Sequence, residues 1–384
     1  MDYFTAADLE PEFFCRVTAD TLCKGGRRIV AATAIGDLTC NSIASETVRQ
    51  ISPHKLVGLV EMALEFDDGT ATNVVIKAKP TDAEVDQTID LVMALTSPHV
   101  KSVWADNAAG NYLGGLCRRE LALYRTSEPT LTAVLPKCYG TYEVAEREAS
   151  VVVIERLHDD VRLLDKVDQP HVWTVADIEA AVLGIAGVHG HWLGRHDELA
   201  AMRWMLPLSE PPRMAPIWAA LWEHTAERFP ELIPQAWRGR GTRLLTNPDR
   251  WWNEVLTMPR TLVHNDFSPR NIALRTDGTL VAYDWELVTA HVPQRDLVEL
   301  LAFTQPPDVE REAVDHYLEF HRRAVAAASG VDIDAATWRR GYQLALIDLA
   351  TTRMMIYAAL HQFKPFPYLP RVAATLARFA EFEQ

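Results

Sequence analysis

The sequence predicts a mixed α+β protein of two lobes, a small β-rich amino-terminal lobe and a larger, mostly helical carboxy-terminal one. Three observations predict it. Through about residue 160, alternating and β-branched apolar stretches recur with turn residues between them. Beyond that point apolar residues fall at helical spacing and tryptophan becomes frequent. A length of 384 residues with 48% hydrophobic content suits two bodies, each with a core of its own.

The elements follow in chain order. His54–Phe66 and Thr72–Ala78 flank Asp67-Asp68-Gly69-Thr70, and Asp-Gly marks a hairpin because both turn positions tolerate positive φ. A helix is expected over Asp82–Leu95, a Gly/Asn-rich break over Asn107–Gly115, and a second helix over Leu116–Thr126, where Leu116, Glu120 and Tyr124 share a face. The apolar strand Ser150–Glu155 leads into a polar stretch that reads as a boundary. The expected organisation is therefore 1–155, a connecting segment 156–160, and 161–384. Thr174 with Asp177 forms a capping box opening a helix through Ile178, Val182, Ile185 and His189. Residues 204–252, rich in Pro, Trp and Arg, read as short helices and loops. Two long helices, Val309–Ala328 and Ala335–His361, and a last helix after Lys364-Pro365-Phe366-Pro367 close the chain.

Composition excludes several functions. With 38 basic and 52 acidic residues the net charge is −14, which disfavours nucleic acids and anionic membrane surfaces as partners. No apolar run reaches the roughly 20 residues of a membrane-spanning helix, and the acidic first ten residues do not resemble a signal peptide. A cytoplasmic protein is expected. Cys15, Cys23, Cys40, Cys117 and Cys138 have no metal-ligand spacing and read as reduced, packed thiols.

The chemistry is concentrated in Leu262–Asn271 (LVHNDFSPRN) and Val281–Glu286 (VAYDWE). Reduced to reactive groups, this is His-x-Asp-x-x-x-x-Asn, a hairpin turned at Asp277-Gly278, and a strand delivering an Asp. Phosphoryl transfer from ATP requires a carboxylate for the attacking hydroxyl, and an amide plus a second carboxylate to hold magnesium against the phosphates. Asp266 fills the first role; Asn271 and Asp284 fill the second.

These residues resemble the aminoglycoside phosphotransferase and choline kinase-like family, whose signature is the same loop followed by Asp-Trp or Asp-Phe after a hairpin. The resemblance runs from about residue 30 to 300 and implies a two-lobed protein kinase-like fold using ATP and Mg2+. It makes Lys77, on a Val-Val-Ile-Lys strand, the lysine that contacts the nucleotide phosphates, and Glu120 its helix-borne partner. It places a phosphate-covering loop at Gly36–Ser42, with Thr39, Asn41 and Ser42 as donors and one glycine where protein kinases have several. Glu155–Asp160 takes the place of an adenine-binding hinge. His264 then braces the loop and Asp296 is its structural hydrogen-bonding partner. His189 and His191 lack a third metal ligand, and His189 reads as a core histidine behind the loop. Glu286 is a candidate for an additional carboxylate at the metal.

The acceptor is less specified. The leading expectation is a small hydroxylated molecule, such as an aminoglycoside, a sugar or an amino alcohol. Trp204, Trp218, Trp222, Trp251 and Trp252 offer aromatic faces for a cationic one, although most are expected to be packing residues. A second reading is a Ser or Thr of a precursor peptide before dehydration. It draws on the arginines Arg238, Arg240, Arg243, Arg250, Arg260 and Arg270, and on acidity concentrated early in the chain. There are 15 basic and 24 acidic residues through Asp160, against 23 and 28 after it. A nucleotide-binding pseudokinase is disfavoured by the simultaneous presence of Lys77, Glu120, Asp266, Asn271 and Asp284.

Overall fold

The computed structural model describes residues 3–38, 43–107, 115–158, 160–205 and 210–383. The chain divides into two compact units, Met1–Ile89 with Gly114–Asp160, and Asp90–Leu113 with Val161–Gln384.

The first unit is built on an antiparallel sheet of β1 (Ile29–Leu38), β2 (Gly58–Phe66), β3 (Ala71–Ala78), β4 (Cys138–Val144) and β5 (Ala149–Glu155), in the order β1-β2-β3-β5-β4. The β2–β3 hairpin turns where expected. Gly69 takes φ 81°, the Phe66 amide bonds Thr70 O at 2.9 Å, and Asp68 Oδ1 accepts from the Thr70 amide. β2 begins four residues later than the apolar pattern suggests, because a turn precedes it, with the Lys55 amide donating to Ser52 O at 3.0 Å; the Lys55 side chain pairs with Glu84 (2.7 Å) and Glu148 (3.0 Å). Alternation then sorts the faces. Met62, Leu64, Val74, Ile76, Val151 and Val153 pack with Phe4, Phe13 and Phe14 into one core. Glu61 and Lys77, opposite Val75 and Leu59 in the ladder, take the other face.

In the second unit, helix Val175–Trp192 opens on the expected cap, with the Asp177 amide donating to Thr174 Oγ1 at 3.2 Å and the Thr174 amide to Asp177 Oδ2 at 3.0 Å. It packs against helix Arg311–Ser329. Two small sheets carry the motif residues: β6 (Val161–Leu163), β8 (Ile272–Arg275) and β9 (Leu280–Ala282) form one, and β7 (Thr261–Val263) with β10 (Thr289–His291) the other. Gly278, at φ 85°, turns the β8–β9 hairpin. The helix expected over Ala335–His361 is interrupted. It runs Ala335–Asp348, widens into a π turn at Leu349–Arg353, and resumes as Met354–His361. Thr351 and Thr352 bond the carbonyls of Ile347 and Asp348 at 2.8 and 2.7 Å, competing with the regular ladder.

Trp218, Trp222, Trp251 and Trp252 are buried in the second unit's core. Cys15, Cys23 and Cys138 are free thiols, and burial pushes Cys138 up to about 11, as suits an inert packed cysteine. Among the described residues no helix is long and apolar enough to cross a membrane.

Candidate active site

In the first unit, β3 delivers Lys77 to the carboxylate of Glu120 on helix Leu116–Tyr124, Nζ to Oε1 at 2.6 Å. Lys79, one residue beyond the end of β3, reaches the other oxygen at 2.7 Å. Glu120 is fully buried, so its charge is compensated twice. Lys79 escapes sequence reading because the motif ends at Lys77; the signal was the i, i+2 lysine pair.

Of the residues expected to cover the phosphates, Gly36 is among those described. Gly36 lies inside β1, opposite Glu61 at a register shift, because β1 extends to Leu38. Thr39, Asn41 and Ser42 lie outside the described residues. In the hinge segment the Glu155 amide donates to Lys137 O at 2.8 Å, and Arg156 pairs with Glu61. Glu155, Arg156 and His158 line a pocket with Thr72, Asn73 and Tyr139.

In the second unit, β7 runs directly into the loop that carries Asp266. Asp296 fixes the entry: its Oδ2 accepts from the His264 amide at 2.8 Å and its Oδ1 from the Asn265 amide at 2.8 Å. Burial opposes ionisation of Asp296, but the hydrogen bond from His189 and the nearby histidines hold its carboxyl below the usual range. His189 lies 3.0 Å from Asp296 Oδ2 and, through its other nitrogen, 3.0 Å from His321. It is a core histidine serving the loop. His264 reaches Tyr283 O at 2.9 Å and packs its ring on Trp285, with centroids 4.4 Å apart. Asn265 takes φ 63°, a conformation disfavoured for most side chains, and is tied down by Nδ2 to Leu287 O (3.0 Å) and by Arg353 Nη2 on its carbonyl (3.0 Å).

Both oxygens of Asp266 are engaged. Asn271 Nδ2 donates to Oδ2 at 2.7 Å and Tyr357 Oη to Oδ1 at 2.7 Å. Arg270 Nη2 stands 3.8 Å from Oδ1. Burial alone would raise the Asp266 pKa, but the charges of Arg270 and Arg353 and the Tyr357 hydrogen bond lower it, so the carboxylate is ionised. Because Asn271 spends its NH2 group on Asp266, its amide oxygen remains an acceptor of the kind a hard cation takes. Asp284 follows β9 with φ 65°, left-handed like Asn265, and its carboxylate lies within 4.8 Å of that of Glu286. An amide oxygen and carboxylates form a donor set that fits magnesium.

Tyr357, Arg353, Arg295 and Glu299 carry no motif and were not anticipated. Glu299 is buried, bonded to Arg295 Nη1 at 2.7 Å, with Tyr357 Oη at 3.3 Å from its other oxygen. Burial pushes Glu299 up to about 7, against the charge of Arg295 and with that of Asp266. The run of arginines before the loop separates in space. Arg238 binds Ile233 O, Arg240 covers Trp237, and among the described residues Arg270 is the member of that run paired with Asp266.

A sequence model described as "Phosphotransferase enzyme family" matches residues 142–328, which contain Asp266, Asn271, Asp284 and Asp296. No curated protein matches. Similar solved structures include choline kinase LicA from Streptococcus pneumoniae, at 13% identity over 87% of this chain and 98% of that one, TM-score 0.39. An aminoglycoside phosphotransferase from Alicyclobacillus acidocaldarius is similar at 12% identity over 84% and 86%, TM-score 0.44. A choline/ethanolamine kinase family protein from Mesorhizobium loti is similar at 12% identity over 97% and 92%, TM-score 0.44.

Proposed function

We propose that the protein, whose residues 142–328 match a sequence model of the phosphotransferase enzyme family, moves the γ-phosphate of ATP to an alcohol of a small hydroxylated molecule, of the aminoglycoside, sugar or amino-alcohol kind. Asp266 accepts the hydrogen bond of the acceptor hydroxyl, orients it and takes its proton as the oxygen bonds to the γ-phosphorus and the bond from that phosphorus to the β-phosphate oxygen breaks, releasing ADP. Asn271 and Asp284 are the metal ligands, with Glu286 beside them. Those residues would hold a magnesium ion, which when bound would neutralise charge at the phosphate oxygens. In the first unit Lys77 is the phosphate-binding lysine, and Glu120 sets its position.

The observation that carries this reading is the state of Asp266. A carboxylate held ionised by two arginines, with one donor on each oxygen, keeps a second lone pair on each oxygen for an incoming hydroxyl. Asn271 meets the same carboxylate through its nitrogen, which leaves its oxygen for the metal.

A mass-shift screen with MgATP over aminoglycosides, sugars, choline-like alcohols and Ser/Thr peptides tests the acceptor class. The expected result is one phosphate added to a non-peptide alcohol. Phosphorylation confined to the peptides would overturn the acceptor assignment.

A further inference from the structure

Arg270 occupies an unusual setting for a residue beside a carboxylate. Its guanidinium is surrounded by the rings of Phe303, Tyr357 and Tyr368, with centroids 5.5, 5.3 and 5.7 Å away. Nη1 donates to Tyr368 Oη at 3.1 Å, Nη2 to Tyr357 Oη at 3.0 Å, and Nε to Ser268 Oγ at 3.4 Å. The rings are buried, yet the Arg270 side chain is 29% exposed. Its separation of 3.8 Å from Asp266 is too long for a hydrogen bond, so the two charges lie side by side without closing on each other.

Arginine carries five N–H donors in a rigid plane. The tyrosines and Ser268 take three, which leaves one on each terminal nitrogen without a hydrogen bond among the described residues. Two N–H groups on adjacent nitrogens form the fork that matches a carboxylate or phosphate. The cage fixes that fork before any ligand arrives, so little rotamer freedom is lost on binding. The carboxylates nearest it do not use it: Glu299 is bonded to Arg295, and Asp266 to Asn271 and Tyr357.

Resting on the phosphotransfer reading of Asp266, we propose that Arg270 is an oxyanion-binding catalytic residue whose free N–H fork takes a phosphate or carboxylate oxygen beside Asp266. That oxygen comes from one of two sources, the phosphoryl group in transfer or an anionic group on the acceptor. In the first case Arg270 stabilises charge on the phosphoryl oxygens as the alcohol attacks. In the second it selects acceptors that carry an acid near the reacting hydroxyl. No proton moves through it in either case.

Arg270→Lys and Arg270→Gln separate the sources when acceptor-independent MgATP hydrolysis is measured alongside transfer to acceptors with and without a carboxylate or phosphate. If the oxygen belongs to the phosphoryl group, kcat falls about 10²-fold for hydrolysis and for every acceptor, as for loss of one oxyanion donor, while the nucleotide Kd stays put. If it belongs to the acceptor, KM rises for acidic acceptors alone. The lysine variant keeps charge but not the fork, so a Lys variant equal to wild type within twofold in kcat and in KM for all acceptors overturns the proposal. Tyr368→Phe removes one bond to the fork and leaves the cage ring in place. Should the Arg270 variants fail to fold, a smaller change in the same parameter is expected from Tyr368→Phe, and no change sinks the idea. Asp266→Ala in the same assay keeps the two readings apart. Loss of turnover in Asp266→Ala with an unaffected Arg270→Lys removes only the role of Arg270, whereas a wild type that turns over no MgATP removes both.

Discussion

Tyr357 and Asn271 divide the Asp266 carboxylate between them, one oxygen each, and this division sets what the side chain can do. Held from both sides, Asp266 cannot rotate to follow an acceptor; the acceptor has to come to it. Tyr357→Phe keeps the ring that cages Arg270 but frees one oxygen. Loss of a hydrogen bond to a charged group, about 1.5–3 kcal/mol, should lower kcat roughly 10- to 100-fold with little change in acceptor KM. Steady-state kinetics on the variant checks it. Glu299 supplies a pH effect. Its pKa rises from 4.5 to about 7 in the fold, first through burial, with Arg295 opposing and Asp266 adding to the shift. A raised carboxyl favours the neutral form in the native state, so its contribution is fully present below pH 4.5 and is lost as pH rises through about 7. Glu299→Gln cannot ionise. The stability of wild type relative to this variant, from denaturant unfolding at several pH values, should therefore fall between pH 5 and 8; a constant difference would show that Glu299 does not titrate in that range.

At the scale of elements, the π turn at Leu349–Arg353 determines which face of the long helix meets the loop. Arg353 at its end reaches Asn265 O, and Tyr357 one turn later reaches Asp266. A π turn holds one residue more than an α turn, and one residue contributes about 100° of helical rotation, so Thr351→Val with Thr352→Val, which removes the competing hydroxyls, would let the helix regularise at constant length and swing Tyr357 off the loop. Retained helical circular dichroism with kcat reduced at least as far as in Tyr357→Phe is the expected outcome; full activity would mean the turn is incidental. This is also where sequence reading reached its limit. The β2–β3 hairpin, the Thr174 cap and the loop from His264 to Asn271 were legible because each depends on residues within a few positions of one another. The bond from Tyr357 to Asp266 joins positions 91 apart, and no local pattern announces it. The π turn was read as continuous helix because its apolar spacing is helical and the competing threonine hydroxyls have no periodic signature. The apolar pattern likewise begins four residues before β2, because the turn closed by the Lys55 amide on Ser52 O contains none of the usual turn residues Gly, Asn or Asp.

For the whole molecule, the sequence conveyed the α+β class and the local build of the loop that carries Asp266 more fully than the surroundings of an acceptor. Six arginines approaching the loop look like one basic patch when written in a line. Folded, Arg238 and Arg240 are occupied on helix Gln235–Thr246, and Arg270 is the one paired with Asp266. The tryptophans similarly resolve into core packing, with Trp218, Trp222, Trp251 and Trp252 buried. Net charge follows the same lesson: −14 argues against polyanionic partners, but it is the arrangement around Asp266, with Arg270 and Arg353 against one carboxylate, that sets the local field. The proposed function depends on Asp266 acting in phosphoryl transfer from ATP. Its most direct test is MgATP turnover by wild type and Asp266→Ala in parallel, with an acceptor found in the screen. A fall in kcat of about 10²-fold or more, with nucleotide binding retained, is the predicted result; equal turnover by the two proteins would contradict it.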